Sequence, residues 1–115
     1  MYEYRARLHW RSNGRHPVYD GDTVHLSIDL GFGVWINPGR VRLAGIDAPE
    51  IRGPERAAGI AARDYLRARL AEHDEFTVRT LRDRRGKYGR YLVEIWLGDV
   101  NLNDEMVLLG HAVAV

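Results

Sequence analysis

The sequence predicts a mainly β, mixed α+β domain in which three strands, a helix, two further strands and a short helix follow one another. Three observations support this prediction. Apolar and polar residues alternate in several segments, one Ala-, Arg- and Leu-rich stretch has helical spacing, and turns containing Gly or Pro separate the segments. The 115 residues are enough for one hydrophobic core, so we expect a single domain covering residues 1–115.

Five segments are predicted to be strands from their alternation or their apolar content. They are Tyr2–Trp10, Val24–Leu30, Arg40–Leu43, Glu75–Leu81 and Arg90–Leu97. The glycine-rich run 31–33 interrupts the second strand as a bulge or loop, and residues 34–36 can resume it.

The first helix is predicted from Glu55 to about Glu72, because Gly53-Pro54 is a typical helix start. Its expected buried stripe consists of Ala58, Ala62, Tyr65, Leu66 and Leu70, and the arginines at 56, 63, 67 and 69 are expected on a solvated face. A short C-terminal helix is predicted from an Asn103 cap to about Leu109, ended by Gly110.

This order of elements favours a five-stranded Greek-key barrel of the oligonucleotide/oligosaccharide-binding (OB) type. One helix lies between strands 3 and 4 of that barrel, and the short helix follows strand 5.

Composition excludes several classes of function. The chain has no cysteine, which excludes disulfides, thiolate metal sites and cysteine nucleophiles. Residues 1–5 lack the apolar core of a signal peptide, and no run is long enough to span a bilayer. We therefore expect no membrane association and a cytoplasmic location. The five histidines show no spacing typical of metal ligands.

Charge is unevenly distributed along the chain, although the net charge is only +1. One stripe holds six cations against the single acid Asp83: Arg79, Arg82, Arg84, Arg85, Lys87 and Arg90. The stripe predicts a site for a polyanion, and a solvated loop is the alternative interpretation.

The stretch Val41–Glu50 concentrates chemistry around one turn. Arg42 lies on a predicted strand, Asp47 follows a glycine turn, and Glu50 projects from the corner made by Pro49. An arginine followed by two carboxylates is what metal-assisted phosphate chemistry requires, whereas a plain polar loop is the alternative.

Four motifs occur in a fixed order: Asp20-Gly21-Asp22-Thr23-Val24, Arg42, Asp47-Ala48-Pro49-Glu50, and Lys87-Tyr88-Gly89-Arg90. Together they resemble the micrococcal nuclease family (the thermonucleases, or staphylococcal-nuclease-like proteins), over nearly the whole chain. The variation at residues 29–33 is most similar to phage-borne members, so a phage origin is a further expectation. Members of this family are calcium-dependent nucleases built on the barrel just described.

The resemblance implies that Asp22 and Asp47 are carboxylate ligands of one Ca²⁺, with the backbone carbonyl of Ala48 as a third ligand. The family's well-known member has threonine at that third position, but a carbonyl contact survives replacement by alanine. Glu50 matches the residue that orients or deprotonates the attacking water. Asp20 is expected to lie in the turn rather than on the metal.

The remaining implied roles concern the substrate. Arg42 and Arg90 match two catalytic guanidiniums on the scissile phosphate, and Lys87 and Tyr88 match positions beside the bound nucleotide's phosphates. The residues also have ordinary interpretations: the aspartates as turn formers, the arginines in salt bridges, and Tyr88-Gly89 as a plain turn. The loop of residues 51–54 is much shorter than the lysine-rich loop of the secreted member, which leaves substrate preference open.

The resemblance therefore implies a Ca²⁺-dependent phosphodiesterase, an endonuclease of low sequence specificity that hydrolyses DNA and/or RNA and leaves 3′-phosphates. Two guanidiniums and a divalent cation suit the charge that develops on phosphate oxygens. Hard oxygen ligands favour Ca²⁺ or Mg²⁺ over zinc, and a loose ligand set favours Ca²⁺. The alternative is a non-catalytic nucleic-acid-binding OB module. Both are compatible with a monomer, and the oligomeric state is left open.

Overall fold

A computed structural model describes residues 2–82 and 91–115. The strands in these ranges are β1 Tyr2–Leu8, β2 Val18–Asp20, β3 Thr23–Asp29, β4 Trp35–Ile36, β5 Arg40–Leu43, β6 Ile46–Asp47, β7 Phe76–Arg82, β8 Tyr91–Leu97, β9 Val100–Asn101 and β10 Val113–Ala114. The helices are α1 Arg56–Ala71, entered through a 3₁₀ turn at Gly53–Glu55, and α2 Leu102–Leu108. No helix in the described part of the chain is both long and apolar enough to cross a membrane.

The five longer strands close into a barrel. They are hydrogen-bonded in the order β1-β7-β8-β5-β3, and β3 pairs with β1 to complete the circuit. All these pairings are antiparallel except that of β5 with β8, where Arg42 lies opposite Leu92. Since α1 lies between the third and fourth of these strands and α2 follows the fifth, the predicted fold class is confirmed.

The core fills the barrel and continues under α1. Alternate residues of each long strand are buried, as in β8, where Val93, Ile95 and Leu97 face inward. Helix α1 covers one end of the barrel with Gly59, Ala62, Leu66 and Leu70. The predicted stripe was therefore wrong at Ala58, which is exposed. Gly59 takes its place because the chain around Glu50 packs directly against that turn of the helix.

Two of the α1 arginines bond to protein groups, which corrects their predicted place on a purely solvated face. Arg67 donates through Nη2 to the carbonyl oxygen of Val18 at 2.9 Å. Arg69 donates through Nε to Glu105 Oε2 at 2.7 Å. These bonds join α1 to β2 and to α2, so both side chains help to fix the helix on the barrel.

Helix α2 is capped by Asn101 rather than by the predicted Asn103. The side-chain oxygen of Asn101 accepts from the backbone N–H of Asp104 at 3.2 Å. Asn103 is instead only 2% exposed. Its side-chain oxygen accepts from the Ile95 amide at 3.1 Å, and its side-chain nitrogen donates to the carbonyl oxygens of Val93 at 3.0 Å and Ala44 at 2.9 Å. A buried amide with these partners ties α2 to the barrel.

The β3–β4 hairpin carries the glycine-rich loop. Gly31, Phe32 and Gly33 all have positive φ, at 86°, 55° and 75°. Leu30 and Val34 close the loop, since the Leu30 amide donates to the Val34 carbonyl oxygen at 2.9 Å. The tight turn leaves the Phe32 side chain fully in solvent.

Candidate active site

Strand register brings Arg42 and Asp22 together. Arg42 on β5 lies opposite Thr23 at the start of β3, and Asp22 immediately precedes Thr23. The Leu43 amide donates to the carbonyl oxygen of Asp22 at 2.8 Å, which extends the pairing by one residue. The backbone alone therefore places these two charged side chains side by side.

The Arg42 guanidinium lies between two carboxylates. Its Nη2 atom is 3.5 Å from Asp22 Oδ2, and the same atom forms an ion pair with Asp47 Oδ1. The two acids differ in exposure, because the Asp22 side chain is 7% exposed and that of Asp47 is 48% exposed. The cluster thus has one buried carboxylate and one that opens to solvent.

Asp22 also anchors the corner that follows β6. Its Oδ2 accepts from the Ala48 amide at 2.9 Å, and its Oδ1 accepts from the Thr23 hydroxyl at 3.0 Å. Burial alone raises the pKa of Asp22, but the hydrogen bond with Asp20, the Ala48 amide and Arg42 together hold that pKa below its ordinary value. Asp22 is therefore ionised at neutral pH and can act as a fixed negative charge.

Asp20 lies behind Asp22 in the turn, as predicted. Its Oδ1 accepts from the backbone N–H of Asp22 at 3.0 Å. Burial, followed by the hydrogen bond with the Asp22 side chain, raises the pKa of Asp20 to about 6. Asp20 therefore supports the Asp22 carboxylate and the turn.

Glu50 lies at the exposed end of the corner, which packs on residues without bulky side chains. The Glu50 amide donates to Glu55 Oε2 at 3.2 Å. A Cβ on Gly59 would collide with the carbonyl oxygen of Glu50. A Cβ on Gly21 would lie 2.7 Å from Ala48 Cβ and 2.9 Å from Ala62 Cβ. The corner can reach Asp22 only because these two positions are glycine.

Sequence reasoning missed the role of Gly21 and Gly59, although a signal was present. A glycine inside a helix costs about 1 kcal/mol relative to alanine. Gly59 therefore stands out in the Ala- and Arg-rich α1, and close backbone contact is the usual reason for such a residue.

The C-terminal residues support the other side of Asp47. Val113 on β10 pairs with Asp47 on β6, and the Val115 amide donates to the Gly45 carbonyl oxygen at 3.0 Å. A cleft of about 240 Å³ lies between this pairing and the corner, with Asp47 and Ala48 in its wall. The exposed carboxylate of Asp47 is thus accessible to a ligand from solution.

Three predicted site residues, Lys87, Tyr88 and Arg90, lie outside the described residues, as does the basic run 83–90. Of the same basic stripe, Arg79 is described. Its Nε bonds to Glu3 Oε2 at 3.2 Å and its guanidinium lies 4.7 Å from the centre of the Trp96 ring. Arg79 therefore has structural partners on β1 and β8.

The donor set around Arg42 fits a hard divalent cation. Two carboxylates meet at one guanidinium nitrogen, so a small cation at that point would be within reach of both. Within residues 2–82 and 91–115, no group of three or more His, Asp or Glu side chains is arranged to hold a metal. A cation here would depend on two aspartates completed by a carbonyl oxygen and water, which suits Ca²⁺ better than zinc.

The fold and this cluster define a small OB-type barrel protein with a carboxylate–arginine site on its outer surface. The chain belongs to the staphylococcal nuclease family, since residues 40–115 match the family model described as "Staphylococcal nuclease homologue". It is 33% identical over 98 residues to the thermonuclease of Staphylococcus intermedius. It is 32% identical over 104 residues to endonuclease YhcR of Bacillus subtilis (strain 168).

Each of these alignments covers 83% of the present chain. The share of the relatives is smaller, at 54% of the thermonuclease and 8% of endonuclease YhcR. Both relatives are named as nucleases, so the family relationship and the names of its members agree on the class of chemistry.

Proposed function

We propose that this chain is a Ca²⁺-dependent endonuclease that hydrolyses phosphodiester bonds of DNA and/or RNA with low sequence specificity and leaves 3′-phosphates. The observation that supports it most is the Arg42 guanidinium held between Asp22 and Asp47. A cation-accepting pair of carboxylates beside an arginine is the arrangement that a phosphate ester needs, because charge on its nonbridging oxygens increases during hydrolysis.

The proposed ligands of one Ca²⁺ are the carboxylates of Asp22 and Asp47 and the carbonyl oxygen of Ala48. When bound, the ion supplies positive charge that offsets the charge developing on the phosphate oxygens. Asp22 is suited to this role because its pKa is held low and its oxygens are oriented by the Ala48 amide and the Thr23 hydroxyl.

Arg42 and Glu50 are the proposed catalytic residues on the described part of the chain. A guanidinium presents parallel N–H donors to two phosphate oxygens at once, and Arg42 is one-third exposed and faces solvent beside Asp47. The exposed Glu50 takes a proton from the attacking water, and the bond to the 5′-oxygen breaks. Arg90 is proposed as the second guanidinium, and Lys87 and Tyr88 as contacts to neighbouring phosphates.

The decisive experiment measures cleavage of plasmid and single-stranded DNA with added Ca²⁺ and then with excess chelator. We expect cutting that needs Ca²⁺ and that falls by about 10²- to 10⁴-fold in Glu50→Gln, with DNA binding retained. Because Glu50 is exposed, this substitution should leave the fold intact, which circular dichroism can verify.

A non-catalytic nucleic-acid-binding barrel is the second candidate. It is favoured by the same basic stripe and OB-type fold, which require no chemistry. Binding without cutting in Ca²⁺, Mg²⁺ or Mn²⁺, from a demonstrably folded sample, would establish that candidate and exclude the nuclease.

A further inference from the structure

The barrel has an open mouth that differs in chemistry from the candidate active site. A cavity of about 300 Å³ opens at the end of the barrel interior near the β3–β4 hairpin. Among the residues that line it are Tyr2, Tyr4, Thr80 and Tyr91 from the barrel, Val41 at its base and Ile36 from the hairpin. We refer to this cavity as the tyrosine mouth.

Apolar and aromatic surface is unusually accessible at the tyrosine mouth. Tyr2 is 71% exposed, Tyr91 is 49% exposed and Ile36 is 43% exposed, although all three line the same cavity. Tyr2 and Tyr4 project from the same face of β1, with ring centres 6.4 Å apart and planes inclined by 31°. Single exposed apolar residues are common, but a concave group of three tyrosines and aliphatic side chains indicates a binding surface.

The tyrosine mouth adjoins the candidate active site through two strands. Val41 in the cavity wall immediately precedes Arg42, and Tyr91 immediately precedes Leu92, the residue that pairs with Arg42. A strand advances only about 3.3 Å per residue, so the mouth and the arginine are separated by less than one nucleotide of extended backbone. Any polynucleotide whose phosphate contacts Arg42 therefore passes the rim of this cavity.

We propose that the tyrosine mouth binds an unpaired base of the polynucleotide whose phosphate lies at Arg42. This inference rests on the proposed function and adds the substrate class, which is single-stranded or locally unpaired nucleic acid. Tyrosine rings accept any base, because every base has a flat π face, and the cavity is large enough for one base. The bases of an intact duplex are already stacked and paired, so they cannot enter it.

The test compares two labelled oligonucleotides of equal length and charge, one with bases and one abasic throughout. Binding is measured by fluorescence anisotropy with Ca²⁺ in the Glu50→Gln background, where the oligonucleotide stays intact. We expect the base-bearing strand to bind about tenfold more tightly, the effect typical of one stacked base. Combining Tyr2→Ala with Ile36→Ser should abolish most of that preference, and Tyr2→Phe should retain it.

Phe32→Ser is the matched control. Phe32 lies on the same hairpin and is fully exposed, but it does not line the cavity, so its removal should leave the base preference unchanged. Equal affinity for the two oligonucleotides, or a preference that survives in the double variant, would overturn the proposal. So would a concentration-dependent dimer that Ile36→Ser dissociates in the absence of any base preference.

Plasmid cleavage by the unsubstituted protein separates this proposal from the nuclease proposal. Cutting without base preference would leave the nuclease and exclude the base site. Base preference without cutting would support the tyrosine mouth as part of a binding module and exclude the nuclease.

Discussion

Two clusters in this molecule join an arginine to carboxylates, and they differ in how much of each carboxylate remains accessible. In the first, Glu105 on α2 accepts from Arg69 Nε and from the Tyr65 hydroxyl, both at 2.7 Å. A further bond joins Arg69 Nη2 to Glu105 Oε1 at 3.3 Å, and the two side chains are only 22% and 19% exposed. The cluster is closed, and its work is to join α1 to α2.

The second cluster is the candidate active site, where Arg42 meets Asp22 and Asp47. The Asp47 side chain is 48% exposed and borders a cleft. A carboxylate has about four acceptor positions, and the fewer of them that protein donors occupy, the more remain for a ligand. The comparison shows that access to solvent, rather than the presence of an ion pair, distinguishes the site from the structural cluster.

Perturbed pKa values do not separate the two clusters. Arg69 holds the pKa of Glu105 below its ordinary value, and burial raises the pKa of Asp20 to about 6. Structural ion pairs shift pKa values as functional sites do. Substitutions that treat the two arginines alike are therefore the sharpest way to test the distinction.

The largest expected effect is that of Arg42→Ala on cleavage. Loss of a guanidinium that stabilises developing charge should lower kcat/KM by about 10²- to 10³-fold while the protein stays folded. Arg69→Ala, the matched change in the closed cluster, should leave kcat/KM near the unsubstituted value. Equal losses in both variants, measured on the same single-stranded substrate, would contradict the comparison.

Ca²⁺ should stabilise the open cluster and not the closed one. At about a hundred times its Kd, the ion should raise the free energy of unfolding by about 2.7 kcal/mol, because it binds only the folded chain. Differential scanning calorimetry with and without Ca²⁺ measures this independently of activity. Asp47→Asn should remove most of the shift, and Glu105→Gln should preserve it. A shift that persists in Asp47→Asn would place the ion elsewhere.

The closed cluster should instead govern stability in acid. Glu105→Gln should cost about 1–3 kcal/mol at neutral pH, the usual value of hydrogen bonds to a charged group. Since the folded-state pKa of Glu105 is lowered from 4.5, its contribution is complete above that pH and is lost as pH falls through the lowered value. Thermal unfolding from pH 7 to pH 3 should therefore show the two proteins converging. A constant difference would show that ionised Glu105 is not the cause.

The smallest expected effect concerns the packing under Glu50. Gly59→Ala should lower kcat/KM by about tenfold, since the new Cβ displaces the backbone that carries Glu50. Ala58→Gly is the control on the same helix. It should lower stability by up to about 1 kcal/mol with kcat/KM unchanged, because Ala58 is exposed. A Gly59→Ala protein that is more stable and fully active would show that the corner tolerates the change.

Local patterns were sufficient for most of the fold. Alternation identified all five barrel strands within about two residues of their bounds, because one face of each strand packs in the core and the other does not. The same reasoning was wrong for the cap of α2. Asn101 and Asn103 are both good capping residues, and only the buried partners of Asn103 on β5, β8 and the following turn decide between them.

By itself, the sequence determined which charges exist, their order, and the stiff corner at Pro49. Only the tertiary structure decided that Asp22 contacts the Ala48 amide, 26 residues away, and that Gly21 and Gly59 make room for that contact. The physical reason is that periodicity reports which face of an element is apolar. Contacts across the barrel depend on strand register and on the close approach of backbones, which no local pattern encodes.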